Sequence, residues 1–272
     1  MREEGMNMVR GCGVFRQAAG VLLASTLLAW SVAQAAPEAV AQAEGPQWID
    51  LQGGRMRAAV FRPSGPGPFP VLVAFHGGGR FSQQFLDWAG KLAGFGYVVL
   101  VGCWLGRHPD FPPPVVSCSL PPRGSPGLQA TRNAVVLVDA ARGLPGVRAN
   151  DLGLVGWSAG GNVATLVASS GVEVRAVVAI AGDLLGRLSG ADPRPIDRVS
   201  QLTAPVLLLH GKKDVTVDAE ESIVYEQAAR AAGKTVEIFL YDNAGHDLMF
   251  DPATGEDVYR RSVAFLSRYV RP

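Results

Sequence analysis

The stretch Leu152-Gly153-Leu154-Val155-Gly156-Trp157-Ser158-Ala159-Gly160-Gly161-Asn162 decides the fold. Leu152-Val155 is a short apolar run of the kind that forms a buried parallel strand, and Asn162-Ser169 then takes up a helical period. Between them lies the one Gly-x-Ser-x-Gly of the chain, Gly156 to Gly160. A serine hydroxyl is a weak nucleophile, so chemistry that uses it must hold it where a base can reach. A sharp turn from strand into helix does this by projecting the side chain above the sheet. The glycines on either side read as places where neighbouring backbone packs too closely for a side chain. The strand before and the helix after make this motif more specific than a glycine-rich turn with an incidental serine.

Outward from that turn, apolar β-rich runs alternate with helix-period segments. Strands are predicted at Trp48-Leu51, Met56-Phe61, Val71-Phe75, Tyr97-Val101, Leu152-Val155, Val174-Ile180, Val206-Leu209 and Val236-Tyr241. Helices are predicted at Phe85-Leu92, Leu128-Arg142, Asn162-Ser169, Ala219-Ala232 and Val258-Tyr269, with Gly143 and Gly233 expected as left-handed stops. This alternation predicts an α/β fold with a mostly parallel central sheet and helices on both faces. One domain is expected over residues 48–272. The only biased internal segment is the Pro-rich stretch Trp104-Pro126, where no separate domain is expected; the loop Gly182-Leu202 has room for a small cap and is too short for a lid domain, which implies an open cleft.

Three further segments end strands with chemistry-bearing residues. His76-Gly77-Gly78-Gly79 follows Val71-Phe75 and offers backbone N–H groups for an oxyanion hole, with Gly78 as the first donor and Gly77 or Gly79 as alternatives. The second donor is expected from Ala159, at the positive end of the helix dipole. His76 itself reads as a brace for the loop. Asp214 lies just past Val206-Leu209; its competitors are Asp218, expected to cap the helix Ala219-Ala232, and Asp183, which follows another strand. Of the four histidines, His210 closes a strand, His108 lies in the Pro-rich loop, and His246 sits in Asp242-Asp247 after the last strand, where it can swing over the serine. Ser158, Asp214 and His246 therefore fall in the order nucleophile, acid, base.

With these residues in place, the segments Leu154-Gly161, Pro205-Asp214 and Gly245-Asp247 resemble those of the α/β-hydrolase superfamily. Within it, residues 220–270 are similar to dienelactone-hydrolase-like and prolyl-oligopeptidase-like catalytic domains, the likeness spanning roughly residues 48–270. The chain has Ser158 where dienelactone hydrolases use a cysteine nucleophile. Gly156-Trp157-Ser158 is also similar to secreted polyester-degrading cutinases. The resemblance implies a serine-dependent carboxylic ester hydrolase acting through an acyl-enzyme. A prolyl-oligopeptidase-like peptidase and a non-catalytic binding protein on the same fold are the alternatives.

The N-terminal segment carries Arg2, Arg10 and Arg16, then the apolar run Val21-Trp30 and an Ala-x-Ala site at Ala33-Gln34-Ala35. That run is shorter than the roughly 20 residues a membrane span needs, so residues 1–35 read as a cleaved export signal and residues 36–47 as a linker. Translation from Met6 or Met8 would preserve the same pattern. The expected mature chain carries no net formal charge and no basic or acidic block, so a nucleic-acid partner is not indicated. No metal-ligand spacing is present, and neither metal nor cofactor is expected. Export leaves Cys103 and Cys118 as the two cysteines, read as a disulfide closing a short loop in an oxidising compartment. Trp104 and Trp157 are the candidate substrate-contacting residues. For Trp104 and its loop neighbour Phe111, packing the loop down is an equal reading.

Overall fold

The structure, a computed structural model, describes residues 47–51, 56–78, 81–105, 127–187 and 193–272. The expected signal peptide, the linker up to Pro46, and His108, Phe111 and Cys118 of the Pro-rich stretch lie outside them.

The elements run β1 (Gln47–Leu51), β2 (Met56–Phe61), β3 (Phe69–Phe75), α1 (Gln83–Ala93), β4 (Val98–Gly102), α2 (Gly127–Arg142), β5 (Val147–Trp157) and α3 (Ala159–Ala168). They continue with β6 (Ala176–Ile180), a 3₁₀ helix (Pro195–Gln201), β7 (Val206–Gly211), α4 (Glu220–Ala231), β8 (Val236–Tyr241) and α5 (Gly255–Tyr269). The strands form one sheet in the order β1-β2-β4-β3-β5-β6-β7-β8. β2 is antiparallel to both β1 and β4, and every neighbouring pair from β4 to β8 is parallel.

Alternation along the strands divides the core into two layers. Val71, Val73 and Phe75 pack with Leu137 of α2, Val163 of α3 and Tyr225 of α4 on one face. Leu72 and Ala74 turn to the other, against Phe85 and Leu92 of α1 and Val263 and Leu266 of α5. Both sides of each central strand are thus apolar, which is why these strands read as nearly continuous hydrophobic runs. Full burial of one such Val, Leu or Phe side chain contributes about 1.5–3 kcal/mol. No helix among the described residues is long and apolar enough to cross a membrane.

Each predicted strand and helix is present, with shifts at the ends. α3 starts at Ala159, three residues before the predicted Asn162, because Ser158's carbonyl already accepts the N–H groups of Gly161 and Asn162. Gly160 and Gly161 hid this start, since glycine disfavours helix. Gly233 adopts the expected left-handed φ of 71°, whereas Gly143 does not; after α2 the left-handed residue is Gly146 at φ 71°. Between β6 and β7, where the sequence reads as the loop Gly182-Leu202, the one helical element among the described residues is the 3₁₀ helix.

The topology itself marks one place on the sheet. From β3 the chain crosses by α1 to β4 on one side, then returns by α2 to β5 on the other side of β3. Neighbouring strands whose connections leave in opposite directions open a crevice at their carboxyl ends. β3 ends there at Phe75, leading into His76-Gly78, and β5 ends there at Trp157, leading into Ser158.

Candidate active site

Ser158 occupies the turn between β5 and α3 with φ 57° and ψ −122°, a conformation that L residues rarely adopt and that surrounding structure must enforce. Its N–H bonds the Ile180 carbonyl of β6 at 2.8 Å. The glycines around it are steric requirements. A Cβ on Gly156 would lie 2.0 Å from the Gly160 carbonyl oxygen, and one on Gly160 would lie 1.9 Å from the Phe75 carbonyl oxygen. Strand β5, helix α3 and the end of β3 meet here backbone to backbone.

The structure brings Ser158, His246 and Asp214 into one hydrogen-bonded line. Ser158 Oγ lies 2.9 Å from His246 Nε2, and His246 Nδ1 lies 2.7 Å from Asp214 Oδ2. Asp214 Oδ1 also accepts the N–H groups of Thr216 and Val217, at 2.8 and 2.9 Å. Burial alone would push the Asp214 carboxyl up; hydrogen bonds from His210, His246 and the Val217 N–H hold it well below the ordinary carboxylate range. Asp214 is therefore ionised, and its Oδ2 makes His246 Nδ1 the proton-bearing nitrogen. Nε2 is left to accept from the serine hydroxyl.

Two backbone contacts fix the acid loop to the histidine loop. Lys212 N–H bonds the Tyr241 carbonyl at 2.8 Å and Lys213 N–H bonds that of Ala244 at 2.9 Å. From the serine side, Trp157 Nε1–H donates to the His246 carbonyl at 3.2 Å, and its ring lies 5.6 Å from the imidazole and 5.0 Å edge-on from Phe250. Trp157 thus both anchors the histidine loop and lines the cleft beside it, a space of about 730 Å³ bordered also by Ser82, Gln84, Asp247 and Phe250.

A Cβ built on Gly77 would sit 2.9 Å from two atoms of the Trp157 ring and 3.4 Å from the serine Cβ, so the loop after β3 borders both residues. Gly78 is half-buried in that turn, and Gly79 lies outside the described residues. Ala159 opens α3, so its N–H is among those a helix start leaves without an intrahelical carbonyl. His76 is fully buried and its Nδ1–H donates to the Gly77 carbonyl at 2.7 Å; burial pushes the imidazole down to about 4, so it is neutral.

Several assignments change. Trp104 does not line this cleft: it is 1 % exposed, and its indole N–H donates to the His76 carbonyl at 3.2 Å while the ring packs edge-on to Phe75. Of the two readings open for it, packing rather than substrate contact is what the structure shows, with the ring set under the loop after β3, because the end of β4 aims the residue into the core. Asp218 is exposed and uses Oδ1 to accept the Glu220 N–H at 2.9 Å; the formal cap of α4 is Ala219. Asp183 lies buried in the loop after β6, against Glu221 of α4, and it is Asp214 that meets His246. Cys103 is buried at the end of β4. The bridge expected to Cys118 lies outside the described residues.

Sequence reasoning passed over His210. It is fully buried beside Asp214, with Nε2 3.1 Å from Oδ2. A histidine in the apolar run Val206-Leu207-Leu208-Leu209-His210, four residues before the candidate acid, was the available signal. Phe250 and Gln84 gave none, since their place at the cleft depends on how α1 and the segment before α5 meet.

An eight-stranded, mostly parallel sheet with a serine turn, a histidine loop and an acid loop at its carboxyl edge defines a hydrolase of the α/β-hydrolase fold. The dienelactone hydrolase family matches residues 56–269, and the chain belongs to that family. It is 28% identical over 268 residues to the "Putative carboxymethylenebutenolidase" of Escherichia coli (strain K12), covering 93% of this chain and 96% of that protein. The crystal structure of a "Putative Dienelactone Hydrolase" from Klebsiella pneumoniae superposes with a TM-score of 0.69 at 25% identity, covering 84% of this chain and 98% of that one. An acylaminoacyl peptidase from Pyrococcus horikoshii shares the fold, with a TM-score of 0.68 at 15% identity over 85% of this chain and 42% of its own.

Proposed function

We propose that this protein is a serine-dependent carboxylic ester hydrolase that works through an acyl-enzyme on small esters, cyclic esters included. The observation that carries this is the Ser158 Oγ to His246 Nε2 contact of 2.9 Å, continued to Asp214 at 2.7 Å. In this reading His246 takes the Ser158 proton as Oγ attacks the ester carbonyl, and the developing oxyanion rests on the N–H groups of Gly78 and Ala159. The imidazolium, held by Asp214, then protonates the leaving alcohol; water, activated by the same imidazole, releases the acid. An oxyanion donor of this kind is worth about 10²- to 10³-fold in rate. In a lactone the leaving alcohol stays tethered to the acyl group, and a lactone is the ester that the names of the relatives point to.

Trp157 and Phe250 give the cleft an aromatic wall for the acyl or alcohol portion. The prolyl-oligopeptidase-like reading shares every step and differs in cleaving amides. A panel of chromogenic acyl esters and aminoacyl anilides separates the two: ester turnover without anilide turnover is expected, and the reverse sinks the esterase reading. Ser158→Ala is expected to abolish both turnover and labelling by an organophosphonate; label persisting in that variant means the nucleophile lies elsewhere.

The reading extends to location. Residues 1–35 act as an export signal cleaved before Ala36, and Cys103 and Cys118 pair in the exported chain. Intact mass of exported protein tests the first, and residues 1–35 still attached would overturn it. Alkylation of the unreduced, denatured protein tests the second, two alkylated cysteines ruling the bridge out.

A further inference from the structure

His210, the last residue but one of β7, has its ring completely buried, at a level of the sheet where a central parallel strand wants an apolar side chain. A buried imidazole is tolerated only when both nitrogens are satisfied. Here Nδ1 lies 2.7 Å from Ser222 Oγ on α4, while Nε2 lies 3.1 Å from Asp214 Oδ2 and 3.0 Å from the Val217 carbonyl oxygen. A carbonyl can only accept, so Nε2 carries the proton and Nδ1 accepts from the Ser222 hydroxyl. A polar chain of Ser222, His210, Asp214, His246 and Ser158 therefore runs from the first turn of α4 to the serine.

The consequence falls on one oxygen. Asp214 Oδ2 receives two imidazole N–H groups, from His246 at 2.7 Å and from His210 at 3.1 Å, while Oδ1 takes the two backbone N–H groups. With four donors the carboxylate cannot turn without breaking a bond. The second imidazole also draws off part of the negative charge that Oδ2 presents to His246, and that charge is what would stabilise a protonated His246 in the resting enzyme.

We propose that His210, oriented by Ser222, is a positioning residue for the reaction at Ser158: it fixes the Asp214 rotamer and moderates the charge Asp214 offers, keeping His246 free to act as a base further into the acid range. This rests on the reading of Ser158, His246 and Asp214 given above. The charged groups facing His246 are Asp214 across from it and, along its own segment, Asp247 and Asp251 on the same cleft wall; no Lys or Arg lines that cleft among the described residues. Around His210 the charged neighbours are Asp214 and, one residue before Ser222, Glu221, whose carboxylate turns away to the Leu185 N–H at 2.9 Å. Asp247, Asp251 and Glu221 are common to parent and variant, so a change in the pH profile isolates His210.

The test compares kcat/KM against pH for an activated ester in the parent, His210→Phe and His210→Gln. Phenylalanine fills the volume without a donor, and the glutamine amide restores an N–H close to the Nε2 position. In His210→Phe the acidic limb is expected to move to higher pH by roughly 0.5–1 unit, with kcat down about tenfold and KM within about twofold. His210→Gln should bring the limb back towards the parent. A merely structural histidine would lower the melting temperature in both variants and leave the limb in place, and that outcome overturns the proposal. So does a limb displaced equally in both.

Should His210→Phe fail to fold, ¹⁵N NMR of the unaltered protein decides. A His210 ring protonated on Nε2 alone at the pH of full activity is the expected spectrum; a proton on Nδ1 there refutes the assignment. Ser158→Ala is run alongside: turnover surviving in it condemns the reading of the site itself, whereas a dead Ser158→Ala with an unmoved His210→Phe limb condemns only the role given to His210.

Discussion

Asp214 and Glu221 stand seven residues apart, both buried, at 8 % and 1 % exposure, and the protein treats their charges in opposite ways. Asp214 is met by four donors and is held well below the ordinary carboxylate range despite its burial. Glu221 accepts one backbone N–H, from Leu185 at 2.9 Å, and faces the Asp183 carboxylate; burial first, then that neighbour, push it up to about 7 against the partial relief from Leu185 and Arg187. Depth below the surface is therefore a poor guide to charge in this molecule. The number of N–H groups aimed at the oxygens decides it. At Asp214 they come from a tight loop and two imidazoles. At Glu221 the loop after β6 sets one amide and the distant charge of Arg187 against a neighbouring acid.

Removing the charge from Asp214 should have the largest effect. Asp214→Asn keeps the volume but sets an amide against imidazole N–H groups, and kcat for ester turnover is expected to fall by about 10⁴-fold with the fold intact. Activity within tenfold of the parent would mean the four donors serve stability alone.

Glu221→Gln should act on stability, and its sign follows from the raised value. A carboxyl that keeps its proton to about 7 in the folded chain but loses it near 4.5 when unfolded destabilises the fold progressively across that window and fully above it. His76, pushed down to about 4 by burial, pulls the other way below its ordinary 6.5, gaining the fold stability as pH rises. The parent profile mixes the two, so the readout is the difference between variant and parent. The melting temperature of Glu221→Gln relative to the parent should rise by roughly 2–6 °C between pH 5 and pH 8. A difference that does not change with pH would place the Glu221 titration outside the window and break the contrast with Asp214.

Asp218 supplies the smallest effect and sharpens the comparison by being exposed. Asp218→Asn retains an oxygen for the Glu220 N–H, so kcat is expected within about twofold and stability within about 0.5 kcal/mol of the parent. A loss larger than that of Asp214→Asn would reverse the choice of acid.

The sequence by itself determined the strand and helix succession, because central strands buried on both faces leave continuous apolar runs that glycine and proline interrupt. It also determined which residues meet in the line Ser158, His246, Asp214: each follows the carboxyl end of its own parallel strand, and strand ends at one edge of a sheet converge whatever the loops between them do. What it could not determine was direction and partnership. Trp104 and Trp157 each follow or end an apolar run, yet one is sealed under the loop after β3 and the other lines the cleft, since the order β4-β3-β5 places one beneath that loop and the other beside His246. His210 reads as a strand-closing residue until α4 sets Ser222 against its Nδ1 and the turn after β7 brings Asp214 to its Nε2. Nothing in the sequence singles out Glu221, whose burial arises only when the loop after β6 folds Asp183 and Leu185 over it. Each of these depends on which surfaces meet across the sheet, and a hydrogen bond between residues brought together in that way exists only once the whole chain has closed around it.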